Sequence, residues 1–520
     1  MEKKVDFNIK PELEKWVLET FPENKFEHAS AYVELRDQTN KAFSQGILTS
    51  REDHSILLVR GEGRTHDGII YFGGTGVSAG YSLRNLQEAL SDVARDLLPL
   101  KLEKSPVKGF QDSTEVHTPD LEYEVWRMDE DIVDDLCTSS SIDGGPRLTS
   151  ASNLESRWSV FVNTSGAHIL QPLHSLILSF AAKIDAESPL YRTVGFSPKR
   201  VADLKKIYDL FGHVTDINIE GKLSGCKDSQ DIMTGLRDIG IGVLNAEEKI
   251  SSGRYTIVTP SLTHTHEFAG HACESNLIKP RKHLMQGPYV EEDMFPEGLD
   301  LESPGFNLTD NPHAQLEGLD LVATYKFDKE GIRTRPKELI RRGIVLPQKL
   351  GSRYSEGNDI GNAECYAGIA IAQPRMSVTD TAPTPDGPRS IAELCETTNR
   401  PTIVCLKDVG WVDSQHGMFQ LGSNLYDGDG GNPEAYLVVK GKAYPIKNPF
   451  LIAGSCYMPL ENAVMGNKEL VTTTTGACGK GNPTMSEDVW DHTPSTQVGP
   501  LAALPLVGVR TFRRRNGDIP

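Results

Sequence analysis

The chain has 520 residues, 38% of them hydrophobic and 24% charged, which is typical of a globular protein with two or three domains. Lys and Arg number 54 against 72 Asp and Glu, and the net charge of −18 argues against a nucleic-acid partner, which would require a basic face. No run of about 18 apolar residues is present, so we expect no insertion into a membrane.

The export and cysteine patterns indicate a cytoplasmic location. The N-terminal segment has neither the apolar core nor the cleavage site of a signal peptide. The 8 cysteines are scattered without paired spacing, so we expect reduced thiols, mostly buried.

Residues 1–110 are predicted to form an N-terminal α/β domain with a sheet and amphipathic helices. Predicted strands cover Ala29–Arg36, Ser55–Glu62 and Gly68–Phe72. Ser82 has the side chain of a helix N-cap, and leucines and Val93 follow it at helical spacing as far as Leu97.

Residues 111–250 are predicted to form a middle α+β region. The stretch 101–156 is polar and acidic, which indicates a connecting segment that is partly helical around Leu121–Leu136. Strands at Trp158–Asn163 and Leu176–Ala182 and helices at Val201–Phe211 and Asp231–Leu244 are predicted next.

Residues 251–520 are predicted to form a mostly β domain with few helices, so the fold class is α+β. Tyr255–Val258 is a short predicted strand. Glu434–Lys440 and Lys442–Ile446, separated by Gly441, are the best hairpin.

The segment His266–His271, with the sequence HEFAGH, carries the groups of a zinc hydrolase. Imidazole binds Zn²⁺, and a carboxylate beside the metal can take a proton from water. The usual helical zinc motif places its histidines at i and i+4. Here they stand at i and i+5, roughly 140° apart on a regular α-helix. A π-bulge would bring them together, and we expect the backbone to yield at Gly270.

Other interpretations of this segment stay open. Four potential ligands lie within ten residues: His264, His266, His271 and Cys273. They could be incidental histidines in a solvated turn. A closed structural zinc site that uses Cys273 is a further alternative, although it would not need Glu267.

Two other motifs are weaker. Gly74–Ala79 matches the dinucleotide-binding pattern G-x-G-x-x-A, but the acidic residue that should end a second strand is missing, so a strand-to-helix turn is favoured. Residues 426–432 resemble a calcium loop without its closing Glu, and a surface turn is favoured.

Cys478 is the thiol with the most distinctive neighbours. Glycines flank its segment, and Lys480 would favour the thiolate. A thiolate is a good nucleophile and also a good zinc ligand, so a cysteine hydrolase remains an alternative.

Several ordered segments carry a resemblance to a known family. They are the strand Ser252–Val258, the HExxxH motif His266–His271, Glu274, Phe327–Gly331, Glu338–Leu346, Pro374–Met376 and Gly476–Lys480. In these segments, from about residue 230 to 510, the chain resembles the TldD/PmbA (TldE) peptidase family. HExxxH is absent from the PmbA branch, so the motif selects the catalytic TldD-like branch.

The resemblance implies an open catalytic zinc site. Zinc would be held by His266, His271 and Cys478, with water in the fourth position, and Glu267 would be the general base. Roles around these ligands are expected for His264, Cys273 and Glu274. The family further implies an α/β N-terminal domain, a mostly β C-terminal domain and a dimer, either a homodimer or a heterodimer with a TldE/PmbA-like subunit.

The substrate stays open, because the chain departs from the family pattern at Asp328–Glu330, after Lys480 and over 275–325. The first hypothesis is hydrolysis of small or unfolded peptides. The second is cleavage of a C–N or amide bond in a natural-product biosynthetic intermediate. The third is a non-catalytic partner subunit, against which the intact HExxxH motif argues.

Overall fold

The computed structural model describes most of the chain. The described residues are 9–78, 81–101, 113–117, 133–134, 137, 147–183, 189–198, 203, 229–246, 250–274, 295–355, 359–365, 370–398, 400–405, 411–413, 418–422, 435–446, 450–455, 460–481 and 490–511. Among them, no helix is both long and apolar enough to cross a membrane.

A large sheet dominates the first part of the chain. Its strands are β1 Phe26–Ser44, β2 Ile47–Thr65, β3 Ile69–Val77, β4 Leu98–Lys101, β5 Val116–His117, β6 Arg147–Asn163, β7 His168–Lys183 and β8 Pro189–Phe196. The described strands follow the order β4-β3-β2-β1-β6-β7-β5, and β8 also pairs with β7. All neighbours are antiparallel except β5 and β7.

The hairpin of β1 and β2 is the longest pair in this sheet, with 19 residues in each strand. A two-residue turn at Gln45 and Gly46 joins them, and both residues have positive φ, at 52° and 75°. Such turns match the twist of antiparallel strands. The strands predicted at Ala29–Arg36 and Ser55–Glu62 are confirmed and are longer than predicted.

Helices α1 (Lys10–Thr20) and α2 (Leu83–Arg95) cover one face of this sheet with their apolar sides. The predicted cap is confirmed, because the Ser82 side chain accepts a hydrogen bond from the Asn85 N–H at 3.0 Å. Helix α3 (Ser229–Leu244) confirms the predicted helix at 231–244, and its buried Ile232 packs in a core cluster with residues of β7.

The glycines of the apparent dinucleotide motif lie inside a strand. Gly74 and Gly76 belong to β3 and pair with Arg60 and Leu58 of β2 in an antiparallel ladder. The chain does pass from this strand to helix α2, but the connection begins after Val77 and not at Gly74, because pairing with β2 keeps β3 extended. An antiparallel strand also lacks the geometry of a dinucleotide-binding βαβ unit.

Two further sheets form the second part of the chain. Their strands, including two small pairs, are β9 Gly253–Thr259, β10 Leu308–Asp310, β11 Gln315–Leu316, β12 Leu319–Asp320, β13 Lys337–Arg341, β14 Ile344–Val345, β15 Ala363–Glu364, β16 Gln373–Pro374, β17 Val378–Asp380, β18 Thr402–Cys405, β19 Trp411–Asp413, β20 Met418–Gly422, β21 Ala435–Val439, β22 Lys442–Pro445, β23 Phe450–Ser455, β24 Val464–Met465, β25 Val471–Gly481, β26 Trp490–Pro500 and β27 Ala502–Thr511. Among the described strands, the second sheet has the order β14-β13-β10-β17-β26-β25. The third has the order β19-β20-β23-β27-β9-β18-β21-β22, with β24 beside β27.

Helices are short in this second part of the described chain. They are a π-helix at Leu262–Gly270, one α-helical turn α4 at His271–Cys273, α5 at Ile391–Glu396 and a 3₁₀ turn at Lys468–Leu470. The mostly β character and the hairpin of β21 and β22 are confirmed, and so is the α+β class.

Some predictions lie outside the described residues. The helix at Val201–Phe211, apart from Asp203, and the loop at 426–432 are among them, as is most of the connecting segment 101–156 before β6. The division at residues 110 and 250 stays a prediction.

A buried ion pair and a buried hydrogen bond join the first sheet to the second part of the chain. Nζ of Lys329 lies 3.5 Å from Oε2 of Glu34 on β1, and Arg60 on β2 donates to the Lys329 carbonyl at 2.5 Å. Burial alone would raise the pKa of Glu34, but the charges of Lys329 and Arg36 hold it well below its ordinary value. The two parts therefore meet through a polar, fully buried contact.

Candidate metal centre

The HEFAGH segment forms a π-helix that continues for one α-helical turn. Strand β9 ends at Thr259, Pro260 follows, and the π-helix covers Leu262–Gly270. The His271 N–H donates to the carbonyl of His266, five residues earlier, where an α-helix would use the fourth. The predicted local widening is confirmed, and it extends over 9 residues. Residues five apart can therefore share one face of the helix.

Gly270 has a different role from the one predicted. Its φ of −61° and ψ of −52° are ordinary helical values, so the backbone does not yield at this residue. A Cβ atom at Gly270 would instead overlap Sδ of Met376 and would lie 2.9 Å from the Thr265 carbonyl oxygen. The missing side chain lets the helix pack closely against Met376, which immediately precedes Ser377 and β17.

The three side chains that were predicted to be zinc ligands lie together. One ligand atom from each of His266, His271 and Cys478 lies within 4.8 Å of the other two. Sγ of Cys478 is 3.4 Å from Nε2 of His271, and the two imidazole centroids are 4.8 Å apart. Cys478 comes from β25, which pairs with β26, and β26 packs against the π-helix.

In each histidine, the ring nitrogen Nδ1 contacts another buried side chain. Nε2 of Gln497 lies 2.9 Å from Nδ1 of His266, and Oε2 of Glu274 lies 3.6 Å from Nδ1 of His271. With Nδ1 engaged in both rings, Nε2 is the nitrogen offered to the cluster. Oε1 of Glu274 also accepts the Met376 N–H at 2.9 Å, which fixes the carboxylate. This arrangement is common around metal-binding histidines.

Arg375 reinforces the thiolate form of Cys478. Burial alone would raise the pKa of this thiol, but the charges of Arg375, His271 and His266 hold it well below its ordinary value. The Arg375 guanidinium donates to the Cys478 carbonyl at 2.5 Å and to Oγ1 of Thr493 at 3.0 Å. Arg375 is itself fully buried, so its charge acts in a medium of low polarity.

The thiolate and Glu274 act on His271 in return. Burial would lower the pKa of His271, but the Cys478 charge, followed by Glu274, raises it well above its ordinary value. The protein alone therefore favours a thiolate–imidazolium pair. A bound cation would replace the proton between Sγ and Nε2, since metal binding requires the deprotonated forms of both groups.

His264 and Cys273 lie apart from the three-residue cluster. His264 is buried, with Nδ1 3.2 Å from Oγ1 of Thr259, and burial lowers its pKa to about 3. Cys273 is buried in the apolar core cluster that also contains Phe295 and Leu350.

Two predicted contributors are only partly described. Glu267 has its backbone in the π-helix, next to His266, while its side chain lies outside the described part of the structure. The same holds for the side chain of Lys480 on β25. The role of Glu267 as a general base stays a prediction.

The donor set fits a zinc ion. Two imidazole nitrogens and a thiolate are three protein ligands of the kinds that zinc prefers, and catalytic zinc sites keep a fourth position for water or substrate. The outer contacts from Gln497 and Glu274 complete the pattern. Fold and cluster together define an α+β protein with a candidate three-ligand metal centre.

Comparison with known proteins finds a family model that matches the second part of the chain. Residues 266–498 match the model described as the PmbA/TldA metallopeptidase C-terminal domain. This match begins at His266 and includes all three residues of the cluster. Residues 266–498 therefore carry a domain of the PmbA/TldD type, as the resemblance in sequence predicted. Among curated proteins, none matches the chain in sequence.

Solved structures share the fold over nearly the whole chain. TldE from Thermococcus kodakarensis superimposes with a TM-score of 0.60 at 14% identity, covering 96% of this chain and 99% of that one. A candidate modulator of a DNA gyrase from Thermotoga maritima MSB8 gives 0.59 at 14% identity, covering 96% and 100%. A similar protein from Bacteroides thetaiotaomicron VPI-5482 gives 0.59 at 12%, covering 97% and 99%. At these identities the likeness shows the fold alone.

Proposed function

We propose that the protein is a zinc-dependent metallopeptidase of the TldD type that hydrolyses amide bonds in small or unfolded peptides. The observation that carries the proposal is the cluster of His266, His271 and Cys478, whose ligand atoms lie within 4.8 Å of one another. The family match over residues 266–498 supports the same activity.

Each residue of the centre has a proposed role. His266, His271 and Cys478 hold the zinc, which when bound polarises the scissile carbonyl and lowers the pKa of water. Glu267, adjacent to the first ligand, would act as the general base that takes a proton from the attacking water and returns it to the leaving amine. Glu274 keeps the His271 ring oriented through its Nδ1.

A cysteine peptidase is the competing activity that the geometry also supports. Cys478, His271 and Glu274 form a chain of contacts at 3.4 and 3.6 Å, the order of nucleophile, base and orienting acid. His266 argues for the metal, because a thiol nucleophile needs one imidazole and the cluster contains two. The cysteine mechanism has no role for Glu267.

Substitution of Glu267 distinguishes the two mechanisms. For Glu267→Gln we expect unchanged zinc content and a cleavage rate on a peptide library lower by about 100- to 10,000-fold. Glu338→Gln, at a surface ion pair with Arg341, is the matched control and should cleave normally. Full cleavage by a zinc-loaded Glu267→Gln protein would contradict the metallopeptidase mechanism and favour the thiol.

Substrate, partner and location complete the proposal. We propose a dimer in the cytoplasm, either a homodimer or a heterodimer with a TldE/PmbA-like subunit; light scattering of the purified chain tests the first form. The alternative substrate is a natural-product biosynthetic intermediate, which the neighbouring genes would indicate. The intact cluster of potential ligands argues against a non-catalytic partner subunit. If protein purified without chelators contained no metal, that alternative would be favoured.

A further inference from the structure

Gln497 is a buried side chain for which the sequence pattern predicted no role. It lies on β26 and has no exposed surface. Its Nε2 contacts both Nδ1 of His266, at 2.9 Å, and Oγ of Ser495, at 3.0 Å. Its Oε1 is buried and has no hydrogen-bond partner among the described residues.

This orientation of the amide suits a histidine that carries no metal. A neutral imidazole has one N–H donor and one nitrogen with a free lone pair. When Nε2 of Gln497 donates to Nδ1 of His266, the proton of the ring lies on Nε2. That nitrogen faces the cluster and cannot bind a cation while it is protonated. Metal binding by His266 therefore requires the proton on Nδ1, and an acceptor in place of the amide nitrogen.

Rotation of the amide by 180° supplies the acceptor. Oε1 of Gln497 would then take the position of Nε2 and accept from Nδ1 of His266 and from the Ser495 hydroxyl. The oxygen gives up no hydrogen bond to the described residues in this rotation. We propose that Gln497 is a positioning residue whose amide rotates on metal binding and holds His266 with Nε2 directed at the metal.

The proposal also explains why the two histidines have different supports. Glu274 can only accept from His271, so it favours the form of that ring with the proton on Nδ1. The Gln497 amide can either donate to His266 or accept from it. His266 can therefore keep a buried hydrogen bond both with and without the metal. This inference rests on the proposed metal site.

Two substitutions test whether Gln497 acts as a hydrogen-bond acceptor or only fills space. Gln497→Glu keeps the shape and can only accept, so we expect its Zn²⁺ affinity to stay within about threefold of wild type. Gln497→Met fills the space without an acceptor, so we expect affinity to fall by about 10- to 100-fold. Affinity is measured by competition with a chromophoric chelator, and Co²⁺ absorption bands report whether the coordination changes.

Gln171→Met is the matched control. Gln171 is a buried glutamine on β7 that bonds the backbone of Lys326 and Phe327, away from the cluster. Its substitution should lower the melting temperature and leave Zn²⁺ affinity unchanged, whereas Gln497→Met should lower the affinity of folded protein.

The outcomes are distinct. Wild-type affinity in Gln497→Met, or an equal loss in Gln497→Glu and Gln497→Met, would overturn the positioning role while leaving the metal site intact. If Gln497→Met does not fold, a loss above tenfold in Gln497→Glu overturns the proposal on its own. A wild-type protein that binds no Zn²⁺ overturns the metal site and this inference together.

Discussion

Sγ of Cys478 lies 3.4 Å from Nε2 of His271, although 207 positions separate the two residues in the chain. The contact depends on one strand pairing and one helix. Cys478 faces Thr493 across β25 and β26, and β26 packs on the π-helix that leads directly into His271. A thiol and an imidazole from distant segments thus become one polar centre.

Cys478→Ser should remove the metal while retaining the fold. A serine hydroxyl is a much poorer zinc ligand than a thiolate, so Zn²⁺ affinity should fall by more than ~100-fold, beyond the effect of an outer partner. Metal content after dialysis and the chelator-induced fall in melting temperature both report this loss. Cys405→Ser, a second buried cysteine outside the cluster, should retain its zinc. Equal zinc content in both variants would count against Cys478 as a ligand.

Glu274→Ala should weaken both the metal site and the fold. The substitution removes the partner of His271 and leaves the buried Arg375, 3.8 Å away, without this carboxylate. We expect a 10- to 100-fold loss of Zn²⁺ affinity. Losing one member of a buried ion pair should also lower the free energy of unfolding by about 3 kcal/mol. Urea titration of the metal-free protein isolates the second effect.

The control for this prediction is Glu338→Ala. Glu338 pairs with an exposed Arg341, and surface pairs contribute less than about 1 kcal/mol. A comparable destabilisation in the two variants would contradict the structural role assigned to Glu274.

Gly270→Ala should destabilise the protein by overpacking, mainly against Met376. The added methyl group would overlap Sδ of Met376, and overpacking of this kind typically costs about 1–3 kcal/mol. Met376→Ala creates space at the same point. The double variant should therefore lose less free energy of unfolding than the sum of the two single losses, with a coupling above about 0.5 kcal/mol. Strictly additive losses in urea titrations would refute the contact as the cause.

His174→Phe should make the free energy of unfolding less dependent on pH below 6.5. Burial, and then the charge of Arg157, lower the pKa of His174 from 6.5 to about 4. Between these values the unfolded chain binds more protons, so this histidine makes the wild type less stable as the pH falls from 6.5 to 4. The shift corresponds to a loss on the order of 3 kcal/mol.

Phenylalanine does not titrate and can keep the edge contact with Trp158. The difference in unfolding free energy between wild type and His174→Phe should therefore shrink or reverse below pH 6.5. A pH-independent difference would mean that His174 titrates normally in the folded protein.

Local sequence signals predicted much of the fold. Alternation identified the strands at 29–36 and 55–62, and the hydroxyl of Ser82 identified the start of α2. The strand limits were underestimated, because polar residues of β1 and β2 stay extended through pairing rather than through their own pattern. The glycines of β3 were misplaced for the same reason, since antiparallel pairing with β2 is a tertiary effect.

In the candidate site, too, local patterns predicted some residues, and tertiary contacts brought in the others. The HEFAGH motif predicted the two histidine ligands and the widened helix, because both follow from the spacing of six consecutive residues. Gln497 reaches His266 only through the register of β26, and no local pattern marks a strand glutamine as a partner. The neighbours of Cys478 marked it as a reactive thiol or zinc ligand, but only the family resemblance joined it to the two histidines.

The π-helix also relates the five-residue spacing of these two histidines to the four-residue spacing of the usual helical zinc motif. Widening a helical turn by one residue places positions five apart where an α-helix places positions four apart, so the segment corresponds to an α-helix with one inserted residue. Removing Ala269 would leave the order His-Glu-Phe-Gly-His, with the two imidazoles again on one face of an ordinary helix. The five-residue and four-residue motifs thus differ by a single insertion, which the wide turns of the π-helix Leu262–Gly270 accommodate.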